Sequence, residues 1–251
     1  MPAAREKTSQ DDGPTTLALG GSIRSAINEL GPVVGLMYLV DRALSRLPGC
    51  KLVPFRFYAQ PVPADAGQDT RLLAKLPEHV RAGPIAPDDP VLATIELDQV
   101  ARDYRLGQGA SLIGVVERGR IVGALWFCRG EYDEDEVRCR FRPEPAGRVV
   151  WDLGVHVNAS HRLGRTFVRL WAAANQELRA GGAAWSLSRI SAFNPSSIGA
   201  HERLGAVPMG MAVFLCLGAL QLMVASRRPF VHISWGGAGP LLRLAAPTAL
   251  R

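Results

Sequence analysis

A chain of 251 residues with 47% hydrophobic content can bury a sizeable core, as one large domain or as a domain with an N-terminal extension. Its net charge of +6 favours anionic partners: a phosphorylated cofactor, an acidic carrier protein, a lipid surface or nucleic acid. Nucleic acid is disfavoured, because the basic residues are scattered, aromatics are only 7% and no zinc-finger or RNA-binding signature occurs.

The first residues, MPAAREKTSQDDGPTT, are polar, read as a disordered tail over 1–20, and contain no signal peptide. A reducing cytoplasm is the expected location. The four cysteines, Cys50, Cys128, Cys139 and Cys216, form no C-x-x-C pair and no metal spacing, so free thiols and no metal are expected. Two helical patterns between Ser22 and Leu47 are broken by Gly31-Pro32. The second has a wide apolar face, yet fifteen residues carrying Asp41, Arg42 and Arg46 cannot span a bilayer. Lys51 to Val62 reads as a strand.

Residues 61–90, rich in proline, alanine and aspartate, read as a substrate-side loop or linker with one short helical piece around Thr70 to Leu76. A short helix is expected over Leu97 to Leu106. Ser111 to Glu117 and Ile121 to Cys128, joined at Arg118-Gly119-Arg120, have the signal of a hairpin. The acidic run Glu131 to Glu136 reads as a solvated loop tip, or as a hairpin neighbour of the arginines in Val137 to Arg142.

The stretch from Val149 to Ala206 organises the rest. An apolar run, Val149 to Val157, meets a polar turn, Asn158 to Thr166, and then a helix-period pattern stopped by Gly181-Gly182. A second strand-like run, Trp185 to Phe193, ends at Asn194-Pro195, before a short helix closed by Gly205. Strand, turn, helix, strand and capped helix make a βαβα unit, which argues for parallel strands and a right-handed crossover. A flexible turn opening a helix is a place to hold phosphate, since the first helical N–H groups lack partners and the dipole is positive there. An ordinary strand-to-helix loop with a basic edge reads the same way.

At this point the sequence resembles the GNAT superfamily of acyl-CoA-dependent acyltransferases. Their pyrophosphate turn has the form [RQ]-x-x-G-x-[GA]; here stand His161, Arg162, Leu163, Gly164, Arg165 and Thr166, departing at both ends. The family's N-x-x-S-x-x-x-Y-x-K-x-G-F is matched by Asn194, Ser197 and Gly205, with His201 in the tyrosine place and Arg203 in that of the lysine. The resemblance covers about residues 90–218. It implies an α/β (α+β) fold with a mixed, mostly antiparallel sheet, splayed middle strands and flanking helices. It also implies one domain over 21–235, with helices, strand and loop in 21–90, the best-matching core in 91–218 and a tail over 236–251.

The implied donor is acetyl-CoA or a longer acyl-CoA, and the implied acceptor a small-molecule amine or amino acid. An acyl carrier protein as donor and a homodimer as assembly stay open. Strand backbone at Val155 or Val157 would polarise the thioester carbonyl, and Arg162 and Arg165 would contact phosphate. Asn194 and Ser197 would contact the pantetheine arm, Asn194 being also a good helix N-cap ahead of Pro195. His201 would protonate the leaving thiolate, and Asp152 or His156 would serve as base. The rival reading is a non-catalytic acyl-CoA-binding or membrane-docking module. Val207 to Ser226, twenty residues without a charge, is long enough for a membrane helix, but Pro208, Gly210 and Gly218 favour two strands, Met211 to Leu217 and Leu220 to Val224. Phe230 to Trp235 reads as one more edge strand.

Overall fold

The structure, a computed structural model, describes residues 23–162 and 164–248, so the expected N-terminal tail and Leu163 lie outside the described residues. In chain order the elements are α1 (Ile23–Leu30), α2 (Pro32–Leu44), β1 (Cys50–Pro61), α3 (Gly67–Leu73), β2 (Val80–Ile85), α4 (Gln99–Gly107), β3 (Ser111–Glu117) and β4 (Arg120–Cys128). There follow β5 (Tyr132–Asp133), β6 (Arg140–Glu144), β7 (Val149–Val157), α5 (Thr166–Ala180), β8 (Trp185–Ser191), α6 (Pro195–Arg203), β9 (Val207–Leu217), β10 (Leu220–Ala225), β11 (Val231–Trp235) and β12 (Leu241–Ala245). The class is α/β with mostly antiparallel strands and flanking helices, as the sequence predicts.

The chain divides into two compact units. The first holds Pro63–Cys128 and Asp152–Gly182; the second holds Arg129–Trp151 with the described residues through Val62 and from Ala183 onward.

In the first unit β2 pairs β3 and β3 pairs β4, both antiparallel, with β7 beside β4. The β3–β4 hairpin closes on Arg118 and Gly119, both at positive φ (49° and 76°), which is the backbone sense that matches strand twist in a two-residue turn. Helix α5 buries Leu170, Trp171, Ala174 and Leu178, spaced to fall on one face. Each of those two leucines contributes about 1.5–3 kcal/mol by leaving water. Segment 61–90 is more ordered than its composition predicts. Its Val80–Ile85 is an edge strand, with Pro84 in it, and α3 is tied to α5 by the Arg179–Asp69 ion pair at 3.1 Å.

In the second unit the order is β11-β10-β9-β1-β8, and each of these neighbours pairs antiparallel. A small sheet, β12-β6-β5, adds Phe141, Leu242 and Leu244 to a core with Phe55, Phe57 and Phe214, and Phe141 stacks on Trp151 at 4.6 Å. Strand β12, parallel to β6, lies in the segment that the sequence reading left as a tail. The acidic run is likewise not a loop tip throughout. Asp133 and Glu131 do meet Arg140 and Arg142, but Glu134 is buried against Arg189, at 2.6 and 2.9 Å. Burial raises its pKa, but the guanidinium's charge and hydrogen bonds outweigh that and hold it at about 2. The four cysteines are free thiols.

Val207 to Ser226 forms β9 and β10, as the glycines and proline predict. No described helix is long and apolar enough to cross a membrane.

Candidate active site

The turn between β7 and α5 is built inside the first unit. Asn158 N donates to Val122 O, which fixes the end of β7 to β4, and a short 3-10 turn over Ala159–His161 follows. Gly164 N returns to His161 O at 3.1 Å, and α5 begins at Thr166. The helix start lies close to the sheet because residue 123 is glycine. A Cβ there would stand 2.8 Å from Thr166 Cγ2, inside van der Waals contact. The helix has no acid in its first turn, and its N-cap, Arg165, makes no side-chain capping bond. The first turn of α5 therefore supplies no carboxylate of its own to its positive end.

The cations around this turn are not equivalent. Arg162 Nε donates to Val157 O at 3.0 Å, bracing the turn against the strand end. His161 is held on both ring nitrogens, by Ser160 Oγ at 2.8 Å and by Glu117 Oε2 at 3.0 Å. Arg165 is exposed, and its side chain has no partner among the described residues. Arg162 is thus engaged through Nε, whereas Arg165 projects into solvent.

On β7, Asp152 is buried and its Oδ1 accepts the Gly154 N–H at 2.8 Å. That bond shapes the strand locally. His156, two positions beyond Gly154, sits 3.3 Å by its Nε2 from Glu96 Oε2, and the same carboxylate accepts from Asn158 Nδ2 at 2.8 Å. Glu96 is the group that sequence reasoning missed. It lies 60 residues from His156, and nothing in its own segment marks it. Val155 and Val157 lie on the same strand, the carbonyl of Val157 being the one taken by Arg162.

Asn194, Ser197 and His201 belong to the second unit. Asn194 Oδ1 accepts from Ser197 N at 3.0 Å, and Pro195 opens α6. These are the N-cap and first-turn roles that their residue types predict. Helix α6 is tied to β1 through Tyr58 Oη donating to Glu202 Oε1 (3.1 Å) and Gln60 Nε2 to Leu204 O (2.6 Å). His201 is buried, 5% exposed, and burial pushes its pKa down to about 4, so the ring is neutral at physiological pH. Among the described residues no group of His, Cys, Asp and Glu is arranged to hold a metal ion.

No family model matches the chain, and no curated protein matches it. Solved structures do. A putative GNAT-family acetyltransferase from Novosphingobium aromaticivorans is 18% identical over 68% of this chain and 68% of its own, with a TM-score of 0.43. A tandem GNAT protein from the clavulanic acid biosynthesis pathway is 18% identical over 66% of this chain and 53% of its own, at 0.46. A GCN5-related N-acetyltransferase from Kribbella flavida is 20% identical over 72% of this chain and 63% of its own, at 0.38. These are the structures to which the chain is similar, at low identity and, for the last two, over less than two thirds of their length.

Proposed function

We propose that this protein is an acyltransferase that moves an acetyl or longer acyl group from acyl-CoA to an amine of a small molecule or amino acid. The observation that carries the reading is the turn before α5: an acid-free helix start drawn close to the sheet by Gly123, with Arg165 exposed and unpartnered beside it. Such an arrangement suits the phosphates of a coenzyme, through backbone N–H groups, helix dipole and guanidinium together. The residue pattern around Asn194 to Gly205 supports the same reading.

For the chemistry, His156 takes the amine proton as the nitrogen–carbon bond forms. Glu96, facing its ring, orients the imidazole and stabilises the imidazolium. Asp152 holds β7 through the Gly154 N–H instead of acting as base. His201, in the second unit, is kept neutral by burial and carries at most a neutral ring N–H, a weaker acid than imidazolium. Val155 and Val157 remain the backbone candidates for the thioester oxygen.

The test is thermal stability against a series from acetyl-CoA to palmitoyl-CoA, with and without Arg165→Glu. A ligand at about 100 times its Kd adds about 2.7 kcal/mol to stability. We expect a raised Tm that the substitution abolishes. No shift with any member would sink the CoA-donor reading.

A further inference from the structure

An antiparallel sheet with one covered face ordinarily alternates apolar inward and polar outward. Strands β9 to β11 do not. Their inward residues, among them Ala212, Phe214, Met223 and Ala225, are buried as expected. Their outward residues are apolar too, and the cross-strand register lines them up in rows. Leu217 faces Leu220, which faces Trp235; Leu215 faces Leu222, which faces Ile233; Val213 faces Val224, which faces Val231. Trp235 is 76% exposed, Ile233 67% and Val231 59%, and Phe230 beside them 55%. From these fractions and side-chain areas near 150–250 Å² for the aromatics, the patch is on the order of 500 Å², at the upper end for a monomer.

The chemistry around the patch states what covers it. From Leu204 to Arg251 the sequence contains no aspartate or glutamate but four arginines, of which Arg243, on β12, faces Glu144 at 3.6 Å. Two of these lie in the turn between β10 and β11. Arg227 Nε is tied to Met209 O at 2.8 Å, while Arg228 is exposed two residues from exposed Phe230. Trp235, at the far end of β11, is an apolar ring with one polar N–H, suited to the boundary between hydrocarbon and water. A second copy of the same face would bring Arg228 toward its own counterpart, and neither β9–β11 nor the turns between them carry a carboxylate to neutralise it. An anionic bilayer offers apolar surface and negative charge together.

We propose that the outward face of β9–β11 docks this protein peripherally on an anionic phospholipid surface. The face lies wholly within the second unit and does not depend on the acyl-CoA reading. The test is co-sedimentation of the full chain with phosphatidylcholine vesicles and with vesicles that also contain phosphatidylglycerol. Binding is expected only to the second, weakening as salt is raised. The double substitution Ile233→Ser with Trp235→Ser is expected to lower binding at least about tenfold. Arg228→Glu, which removes one positive charge and adds a negative one, is expected to lower it by about fivefold or more without touching the apolar rows. Unchanged melting temperatures establish that the variants are folded; if the double variant fails to fold, Arg228→Glu decides by itself. No binding to either vesicle overturns the proposal, as does equal binding to both, or variants that bind like the parent. A dimer in solution that the double substitution dissociates would also overturn it, by assigning the face to a second copy.

Discussion

The two compact units solve the same problem differently. In the first, the apolar residues of β2–β4 are sealed under α5, and among the exposed large apolar side chains of the described residues Val100 and Val168 belong to it. The second unit owns the others that are described, on α1, α2 and the turn after it, and on β9, β10, β11 and the turn between the last two. It also buries an ion pair, Glu134–Arg189, with the guanidinium 4.7 Å from the Phe55 ring. Apolar surface outside and charge inside is the reverse of the usual partition. The lesson is that one unit is shaped by its own core, whereas the other is shaped partly by what it meets.

The largest test of that contrast is the buried pair. Arg189→Ala leaves Glu134 charged and unpaired away from water, and should cost about 3–5 kcal/mol in urea unfolding. Hydrogen exchange on the variant would sharpen the comparison: a loss confined to amides of the second unit would make the units independently stable, and a uniform loss would make them one cooperative body. A loss under about 1 kcal/mol would mean that the charge inside the second unit matters little.

Next in size is pH. The folded pKa of His201 is about 4 against an ordinary 6.5. Between those values the unfolded chain binds a proton that the folded chain refuses, so stability rises with pH across this window. The stabilisation is full above 6.5 and falls by roughly 3 kcal/mol on the way down to 4. His201→Asn should flatten this part of the stability–pH curve; a curve unchanged by the substitution would place the titration elsewhere.

In the first unit, Gly123→Ala pushes against Thr166 where α5 meets β4. We expect about 1–3 kcal/mol of destabilisation, and a smaller acyl-CoA-induced rise in Tm than in the parent. A full ligand response would show that the close approach of the helix start is not needed for binding. Smallest is Ile233→Ser on the outer face of the second unit. It should change unfolding stability by no more than about 0.5 kcal/mol, because the side chain is mostly in water already. A large loss would mean that the face is internal packing after all.

Much of this was legible in the sequence because it depends on neighbours along the chain. The hairpin at Arg118-Gly119, the stop of α5 at Gly181-Gly182, the cap at Asn194-Pro195 and the two strands of the uncharged run all follow from local backbone preference and hydrophobic period. So did the basic turn before α5. Other features were not legible because they join distant residues. Glu96 reaches His156 from an unmarked segment, Glu134 in an acidic run finds Arg189 on β8, and residues 241–245 become a strand because β6 is there to pair with. Composition reads 61–90 as a substrate-side loop or a linker with one short helical piece, since pairing with β3, rather than its own propensity, makes Val80–Ile85 a strand. The sequence by itself determined the hairpin, the central helices and strands and the basic turn, since local sterics and periodicity specify them. Only the tertiary structure decided which arginine of the turn is engaged, which carboxylate meets His156, how far burial lowers His201, and that β9–β11 turn a second apolar face outward. Those depend on what is packed against each group, and a one-dimensional pattern does not carry that.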